Sequence, residues 1–401
     1  MRILYLTHRL PYAPNRGDRT RAYHMLHEIA QWASVDLVSL VHDAEEASHV
    51  DELRGVTTSV TIAQVSRTSN IARAILALPT DKPITHSLLR APGLRATIDR
   101  LVAERRPDVV LASGTGVAPL AFLPGLAEIP FVLDMVDVDS AKWAALATTH
   151  RPPLSWIYAR EARVLRRFER LASLRARATF IVTEGERETL TAIAPDARTF
   201  VVGNGVDIAS WRRPAHATTD EIAPAVVFCG VMNYAPNVEG TTWFARHVWP
   251  IVRSERRDAR FQIVGLSPTT AIQRLASQEM GIEVTGGVPD VRPYLWSAAV
   301  SVAPLLTARG VQNKVLEAIA ADLPVVTTPI VMAGLPEGIR MACTVATDPG
   351  EFARAVIDLL ERPDAARRAG PRAIDLGSLS WKRRLEPVRG LIEGASTASR
   401  R

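Results

Sequence analysis

The chain alternates short β-branched runs with longer helical patterns, and it does so in two successive series. The runs of the first series occupy residues 3–7, 35–41, 59–65, 108–112, 131–136, 179–183 and 200–202. Those of the second series occupy residues 225–229, 261–264, 282–285, 300–303 and 324–327. Because strands that alternate with helices form parallel βαβ units, the pattern predicts two α/β domains of the doubly wound type.

A polar, proline-containing segment at residues 208–224 interrupts the alternation and predicts a linker. We therefore predict Rossmann-like domains over residues 1–207 and 225–378, then a C-terminal helix and tail over residues 379–401. The last helix, predicted at residues 381–393, precedes no further strand, so we expect it to pack back toward the first domain. Parallel sheets bind ligands beyond the carboxyl ends of their strands, so the domains are expected to face each other across a cleft.

Composition excludes several classes of protein. Hydrophobic residues make up 47% and charged residues 22% of the 401, which excludes a disordered chain. Cys229 and Cys343 lack metal-ligand spacing, so we expect no disulfide framework, metal site or cofactor. A net charge of +6 favours an anionic partner, but no nucleic-acid-binding motif occurs. Residues 1–8 are too short for a signal peptide, and we expect a cytoplasmic location.

The loop after the first predicted strand, residues 8–21, is rich in proline and arginine and leads into an amphipathic helix. Gly17, which we count among the donor contacts, allows a close approach of the main chain to a bound group, and the helix that follows offers free N–H donors. Four arginines in this loop favour an anion site. The alternative is an ordinary turn between a strand and a helix.

Three carboxylates, Asp134, Asp137 and Asp139, follow the fifth predicted strand. Carboxylates at such a strand end orient substrate hydroxyls, accept protons or bind a metal. We favour contacts of Asp134 or Asp137 with the substrate, which makes the three residues candidates for catalysis. Helix N-capping by Asp139 or Ser140 is the alternative for one of them.

The strongest group of candidates lies in residues 304–326, where a strand leads through a glycine loop into a helix. Gly310 lies in the loop, and Asn313, Lys314 and Glu317 lie in the first turns of the helix. The helix N-terminus and Lys314 suit a diphosphate, and Glu317 can accept hydrogen bonds from two ribose hydroxyls. A Lys314–Glu317 pair on an exposed face is the alternative, which the apolar residues around Glu317 disfavour.

Residues 310–320 (GVQNKVLEAIA), 323–326 (LPVV) and 201–207 (VVGNGVD) resemble the retaining glycosyltransferases of family four, which have the GT-B fold. Residues 9–18, 137–143 and 234–237 are similar to the sugar transferases associated with exosortase and exopolysaccharide clusters. The resemblance implies metal-independent, retaining transfer of a hexose from a UDP- or GDP-linked donor to a glycan or polyprenyl-linked acceptor. It also assigns the acceptor to the first domain and the donor to the second.

The resemblance further assigns roles to single residues. Glu317 matches the second glutamate of the family's Glu-x7-Glu motif, which binds the ribose, whereas Arg309 stands where the first glutamate is usual. The loop after Cys229 lacks the usual arginine and lysine, and it carries instead two asparagines that we count among the donor contacts, Asn233 and Asn237. We expect Arg309, Lys314 and the helix N-terminus to meet part of the diphosphate charge. The loop with Gly287 and Val288 is implied to contact the nucleobase.

A tryptophan and tyrosine pair precedes a helical stripe of arginines, which suits an enzyme with a lipid-linked acceptor. The residues are Trp156, Tyr158, Arg160, Arg163, Arg167 and Arg170. One interpretation is peripheral contact with the anionic inner face of the plasma membrane. The other is a solvated face with salt bridges to Glu161 and Glu169.

Two alternative functions stay open. A nucleotide-sugar 2-epimerase also uses two Rossmann-like domains around a nucleotide site, and it would need no acceptor. A catalytically silent nucleotide-binding homologue would explain Arg309 and the missing arginine and lysine.

Overall fold

A computed structural model describes residues 1–13, 17–214, 224–308 and 310–397. The chain forms two compact units. The first comprises residues 1–203 together with residues 385–397 of the described C-terminal segment. The second comprises the described residues between 204 and 384.

The first unit contains a seven-stranded sheet in which all paired strands are parallel. Its strands are β1 (Arg2–Thr7), β2 (Ser34–Val41), β3 (Ser59–Gln64), β4 (Val109–Ser113), β5 (Phe131–Val136), β6 (Ala178–Ile181) and β7 (Thr199–Val201). The helices between them are α1 (Gly17–Ile29), α2 (Ala44–Ser48), α3 (Val50–Leu53), α4 (Arg67–Ala77), α5 (Ile84–Leu88), α6 (Leu94–Glu104), α7 (Asp139–Thr149), α8 (Leu154–Arg175) and α9 (Glu184–Ile193). The strand order is β3-β2-β1-β4-β5-β6-β7, so the direction of winding reverses between β1 and β4.

The second unit repeats this arrangement with a six-stranded parallel sheet. Its strands are β8 (Ala225–Cys229), β9 (Arg260–Val264), β10 (Ile282–Gly286), β11 (Val300–Ala303), β12 (Val325–Thr327) and β13 (Cys343–Val345). Its helices are α10 (Ile208–Trp211), α11 (Ala235–Trp243), α12 (Trp249–Glu255), α13 (Thr270–Gln273), α14 (Arg292–Ser297), α15 (Asn313–Ala320), α16 (Pro329–Ala333), α17 (Pro349–Glu361) and α18 (Pro363–Ala369). The order β10-β9-β8-β11-β12-β13 reverses between β8 and β11. In doubly wound sheets such a reversal opens a crevice at the carboxyl ends of the two strands.

Burial on both faces explains why the strands are apolar runs. Every residue of β4, β8, β11 and β12 is buried, as parallel sheets covered by helices on both sides require. The aromatic core of the second unit includes Phe228 on β8 and Trp249 on α12. These buried runs fix the sheets, and the chemistry is left to the loops that follow the strands.

The predicted fold class is confirmed, and each predicted strand is present within two residues of its predicted ends. Strand β13 was not predicted, because its three residues are partly exposed and form no apolar run. The last helix, α19 (Trp381–Thr397), begins at the predicted residue and extends four residues beyond the predicted end at 393. Its residues from Leu385 onward belong to the first unit. Of the predicted linker, residues 215–223 lie outside the described residues, and residues 208–211 form α10.

Candidate functional site

The loops after β8 and β9 approach each other closely in the second unit. Gly230 follows β8, and its N–H donates to the carbonyl of Val264 at 3.0 Å. Gly265 follows β9 with φ +148°, and a Cβ there would lie 1.7 Å from the carbonyl oxygen of Gly230. Main chain therefore packs against main chain, which only glycine at position 265 permits. Neither glycine was among the predicted site residues, although each directly follows a buried strand.

Lys314 reaches this loop from the first turn of α15. Its Nζ donates to Oδ1 of Asn237 at 2.6 Å and lies 4.2 Å from the centre of the Phe228 ring. Asn237 is buried and donates in turn from Nδ2 to the carbonyl of Val231 at 2.9 Å. A Cβ on Gly230 would lie 2.7 Å from Asn237 Nδ2 and 3.2 Å from Lys314 Nζ, so the glycine leaves room for both groups. The ammonium group is thus held against the loop that lacks an arginine and a lysine of its own.

Glu317 lies one turn further along α15 and is partly buried. Its carboxylate receives no hydrogen bond from any residue in the part of the chain that the structure describes. Burial raises the pKa of Glu317 to about 7, and Lys314 opposes the shift. Burial lowers the pKa of Lys314 to about 8, against the influence of Cys229 and Glu317. A partly buried carboxylate without a partner is costly, so this site suits a ligand that brings hydroxyl donors.

The loop before α15 presents the helix N-terminus. Gly310 has φ +61°, a conformation that favours glycine. Its carbonyl oxygen packs against Gly334, where an added Cβ would lie 2.3 Å from that oxygen. The side chain of the N-cap residue, Gln312, forms no capping hydrogen bond with the first turn, which suits the first N–H groups of α15 to binding an anion. Asn313 accepts a hydrogen bond from Nδ2 of Asn204 at 3.2 Å. Arg309, predicted to act here, lies outside the described residues.

The predicted nucleobase loop follows β10 on the same edge of the sheet. Gly286 has φ +70°, and its carbonyl accepts from the N–H of Gly265 at 3.1 Å. A Cβ on Gly287 would lie 2.7 Å from Cδ2 of Leu266, so this loop packs against the one that follows β9. Val288 is partly buried, and Asn233 in the loop after β8 is exposed. The predicted donor residues of the second unit therefore all lie in loops at the carboxyl edge of its sheet or on α11 and α15, the helices that follow two of these loops.

In the first unit Asp134 lies fully buried at the end of β5. The guanidinium of Arg21 donates to both of its carboxylate oxygens at 2.8–3.0 Å and also to the carbonyl of Val202 at 2.8 Å. Arg9 and Arg19 likewise lie 3.3 and 3.5 Å from the buried carboxylate of Glu46. Three arginines of residues 8–21, Arg9 in the loop after β1 and Arg19 and Arg21 on α1, therefore compensate buried acids of their own unit. Gly17 begins α1, whereas residues 14–16, including the fourth arginine, lie outside the described residues.

Asp137 and Asp139 share one lysine. The Nζ atom of Lys142 lies 2.9 Å from Oδ2 of Asp137 and 3.1 Å from Oδ1 of Asp139. Burial lowers the pKa of Lys142, but the two carboxylates outweigh it and hold the pKa above its ordinary value. Oδ2 of Asp139 accepts from the hydroxyl of Thr115 at 2.5 Å, whereas Oδ1 of Asp137 is buried and has no partner among the described residues. Among these three carboxylates, Asp137 is the one with an unused acceptor.

The backbone just before Asp137 is strained. Val136 has φ +72°, which is a rare conformation for a β-branched residue, and the register of β5 against β6 shifts at this point. The helix that follows begins at Asp139, with Val138 at the N-cap, so the proposed capping by Asp139 or Ser140 is wrong. Ser140 instead donates from its main chain and its hydroxyl to Glu169. No group of three or more metal-binding side chains occurs within the described ranges.

Most arginines of the predicted stripe on α8 are engaged within the first unit. Arg160 pairs with Glu161 and donates to the carbonyls of Ala77 and Lys82 at 2.8 Å. The stripe's other contacts include Arg167 with Asp81 at 3.1 Å and Arg170 with the carbonyl of Ile193 at 2.7 Å. Trp156 keeps 70% of its surface exposed. In the described ranges no helix combines the length and the apolar character that crossing a bilayer requires.

The fold consists of two doubly wound units. In the second, beside the reversal of the strand order, lie Lys314 and Glu317, and Glu317 has no hydrogen-bond partner among the described residues. These features define a class of nucleotide-binding α/β proteins. Family models make the class specific. Residues 223–362 match the model described as glycosyl transferases group 1, and residues 16–205 match the glycosyl transferase 4-like domain. The two matches and the shared fold identify the chain as a glycosyltransferase of the GT-B fold.

Solved structures share the fold over nearly the whole chain. HepE from Anabaena in complex with UDP aligns with a TM-score of 0.66 at 14% identity, covering 98% of this chain and 100% of HepE. TarM from S. aureus, in complex with fondaparinux, α-GlcNAc-glycerol and UDP, aligns with a TM-score of 0.68 at 11% identity, covering 98% and 99%. WaaG, a glycosyltransferase involved in lipopolysaccharide biosynthesis, aligns with a TM-score of 0.63 at 16% identity, covering 99% and 98%. No curated protein sequence matches the chain.

Proposed function

We propose that the protein transfers a hexose from a UDP- or GDP-linked donor to a hydroxyl of a glycan or polyprenyl-linked acceptor, in exopolysaccharide or related glycan biosynthesis. The observation that carries the proposal is the pair formed by Lys314, anchored on Asn237, and the unpartnered carboxylate of Glu317 on the same helix. A UDP-linked donor is supported by the HepE structure that holds UDP and glucose. Retention of configuration and independence of metals follow the resemblance to family four.

The second unit would bind the donor by its diphosphate, ribose and base. The ammonium of Lys314 and the uncapped N–H groups of α15 would stabilise the negative charge that grows on the leaving diphosphate. Glu317 would accept hydrogen bonds from the two ribose hydroxyls, and the main chain at Gly287 and Val288 would contact the base. Arg309 would add a second cation at the diphosphate.

The first unit would bind the acceptor. Asp137, whose side chain is held by Lys142 through Oδ2, would orient the acceptor hydroxyl. Asp139 would hold Lys142 in place, and Asp134 would act at a distance by fixing Arg21. Transfer forms a bond between the acceptor oxygen and the anomeric carbon, breaks the bond from that carbon to the diphosphate, and releases the acceptor proton.

Incubation of the protein with UDP- and GDP-hexoses, with and without acceptors, tests this function. We expect sugar transfer only when both a donor and an acceptor are present. Conversion of the nucleotide sugar to its 2-epimer without an acceptor would show an epimerase instead. Tight nucleotide binding with neither transfer nor donor hydrolysis would show a silent homologue.

Replacing Gly230 by alanine is expected to weaken nucleotide binding by about tenfold, or about 1.4 kcal/mol. The added methyl group would lie within contact distance of Asn237 Nδ2 and Lys314 Nζ, so it would push the ammonium out of place. Gly338→Ala is the matched control, because a Cβ there meets no atom within 4 Å. Calorimetric titration with the nucleotide measures the affinity of both variants. Equal affinities would show that the loop after β8 does not contribute to binding of the donor.

Removing divalent metal with EDTA is expected to leave the rate of transfer unchanged. The diphosphate charge would be met by Lys314, Arg309 and the start of α15. The measurement is turnover before and after chelation, with magnesium or manganese added back. A loss of turnover that the added metal restores would contradict this prediction and direct attention to the acids after β5.

Peripheral contact with an anionic membrane is part of the same proposal. Trp156 lies one turn before Arg160, which binds the end of α4, and the exposed Ile75 and Leu76 lie at that end. We expect the protein to sediment with vesicles that contain phosphatidylglycerol and to do so less after the double change Trp156→Ser and Leu76→Ser. Met341→Ser, at a residue of the second unit that is 80% exposed, is the control. Equal sedimentation of all three proteins would contradict the assignment of this surface.

A further inference from the structure

A pocket of about 480 Å³ lies at the carboxyl edge of the first sheet. Its walls come from residues 82–95, which include α5 and the start of α6, and from residues 116–120 after β4. None of the predicted donor residues lines this pocket.

The pocket is lined by three cationic side chains, Lys82, Arg90 and Arg95. All three residues are exposed, and none of their side chains forms an ion pair or hydrogen bond with the residues that the structure describes. Aspartate and glutamate are absent from the described lining. A concave site with three uncompensated cations attracts anions, and arginine in particular forms paired hydrogen bonds with phosphate.

The start of α6 adds donors to the same wall. The helix has eleven residues, and its N-cap is Gly93, with φ +74° and no side chain to bond to the first turn. That turn contains no acidic residue, and Arg95 is its second residue. Its free N–H groups and the positive end of the helix dipole therefore reinforce the three cations.

Apart from His86 and Ser87, the rest of the described lining consists of apolar residues and glycine. Leu40, Leu89 and Leu120 line the pocket, and Leu88 is exposed beside it. Helix α4 adjoins this segment, because Nδ2 of Asn70 donates to the carbonyls of Leu88 and Arg90. A site that combines three cations with apolar walls fits an anion attached to a hydrocarbon better than a free sugar or a nucleotide.

The pocket adjoins the acids that are candidates for catalysis. His86 lines it and donates from Nε2 to the carbonyl of Thr115 at 3.1 Å, and the Thr115 hydroxyl binds Asp139. Burial lowers the pKa of His86 to about 4, so the ring is neutral and adds no charge at neutral pH. An acceptor whose anionic group is held by the cations would therefore have its reacting end near Asp137 and Asp139.

We infer that this pocket binds the phosphate group of an amphiphilic acceptor, in which a phosphate or diphosphate ester joins the sugar-accepting end to an apolar chain. The inference rests on the proposed function, because it names the class of acceptor for that reaction. The phosphate is held by Lys82, Arg90, Arg95 and the start of α6. The apolar chain follows the leucines toward the exposed face of α4.

Calorimetric titration of the full chain with geranyl phosphate tests this inference, with inorganic phosphate and geraniol as separate probes. We expect geranyl phosphate to bind at least about tenfold more tightly than either, a difference of about 1.4 kcal/mol. The double variant Arg90→Gln and Arg95→Gln is expected to lose about tenfold or more in affinity for geranyl phosphate. The double variant Arg105→Gln and Arg106→Gln, which removes the same charge near the opposite end of α6, is expected to bind as the unchanged protein does.

Equal affinity of the two double variants for geranyl phosphate would overturn the assignment of the pocket. If inorganic phosphate binds as tightly as geranyl phosphate, the claim that the pocket also binds an apolar chain is wrong. UDP titration of the same proteins separates the two proposals, because the donor residues are untouched. Normal UDP binding without geranyl phosphate binding would reject the pocket alone, whereas absence of UDP and GDP binding would reject the proposed function.

Discussion

Replacing Glu317 by glutamine is expected to weaken binding of the nucleoside diphosphate by about 10- to 100-fold, with no loss of folded protein. The amide has the shape of the carboxylate, but it is uncharged, and only one of its two polar atoms accepts hydrogen bonds. A hydrogen bond to a charged group contributes about 1.5–3 kcal/mol, and one to two such bonds to the ribose would be weakened. Calorimetry measures the affinity, and thermal unfolding checks the fold.

The pH dependence of binding makes this test specific. With a pKa of about 7, the side chain of Glu317 is largely protonated at pH 6 and largely ionised at pH 8. Affinity in the unchanged protein should therefore rise with pH across this interval, until loss of the proton from Lys314, with a pKa of about 8, opposes the gain. In Glu317→Gln the rise should be absent. Glu255→Gln, at an exposed residue of α12, serves as the control, and a rise that persists in Glu317→Gln would remove Glu317 from the ribose site.

Replacing Lys314 by methionine is expected to slow transfer by about 100- to 1,000-fold and to weaken ground-state binding less. Methionine keeps much of the aliphatic stem but removes the ammonium group, which Asn237 holds and which lies over the Phe228 ring. Charge on the leaving diphosphate grows toward the transition state, so kcat should fall by a larger factor than the affinity for the nucleotide. Steady-state kinetics and calorimetry give the two factors.

Lys382→Met is the matched control for this change. Lys382 is exposed on α19, so the variant loses the same charge without touching the donor loops. Its kcat should equal that of the unchanged protein. If Lys314→Met lowers the affinity for the nucleotide but leaves kcat unchanged, Lys314 contributes to binding alone and has no special role in stabilising the leaving group.

The sheets could be predicted from sequence because their strands are buried on both faces and read as apolar runs between helical patterns. Strand β13 could not, since it is a short and partly exposed strand paired only with β12. The same local pattern placed Lys314 and Glu317 on one helix after a glycine loop, where α15 has them. Local sequence thus predicted the elements and the order of the loops.

Contacts between residues that are distant in the sequence could not be predicted from local sequence patterns. The bond from Lys314 to Asn237 joins residues 77 apart, and the pair of Arg21 with Asp134 joins residues 113 apart. No periodicity encodes either contact, because each depends on which loops meet at the reversal of the strand order. The arginines after β1 were predicted as an anion site, yet Arg9, Arg19 and Arg21 bind buried carboxylates. Burial of Asp134 and Glu46, which the sequence does not reveal, accounts for them.

We propose above all that the second unit binds a nucleoside diphosphate through Lys314 and Glu317. The most direct test is to titrate the protein with the nucleoside, the monophosphate and the diphosphate of one base. Uridine, UMP and UDP, and the guanosine series in parallel, should show affinity that rises with each phosphate for the preferred base. In Lys314→Met the gain from the second phosphate should disappear, and in Glu317→Gln the whole series should weaken by one common factor. Failure of both UDP and GDP to bind, or an undiminished preference for the diphosphate in Lys314→Met, would contradict the account.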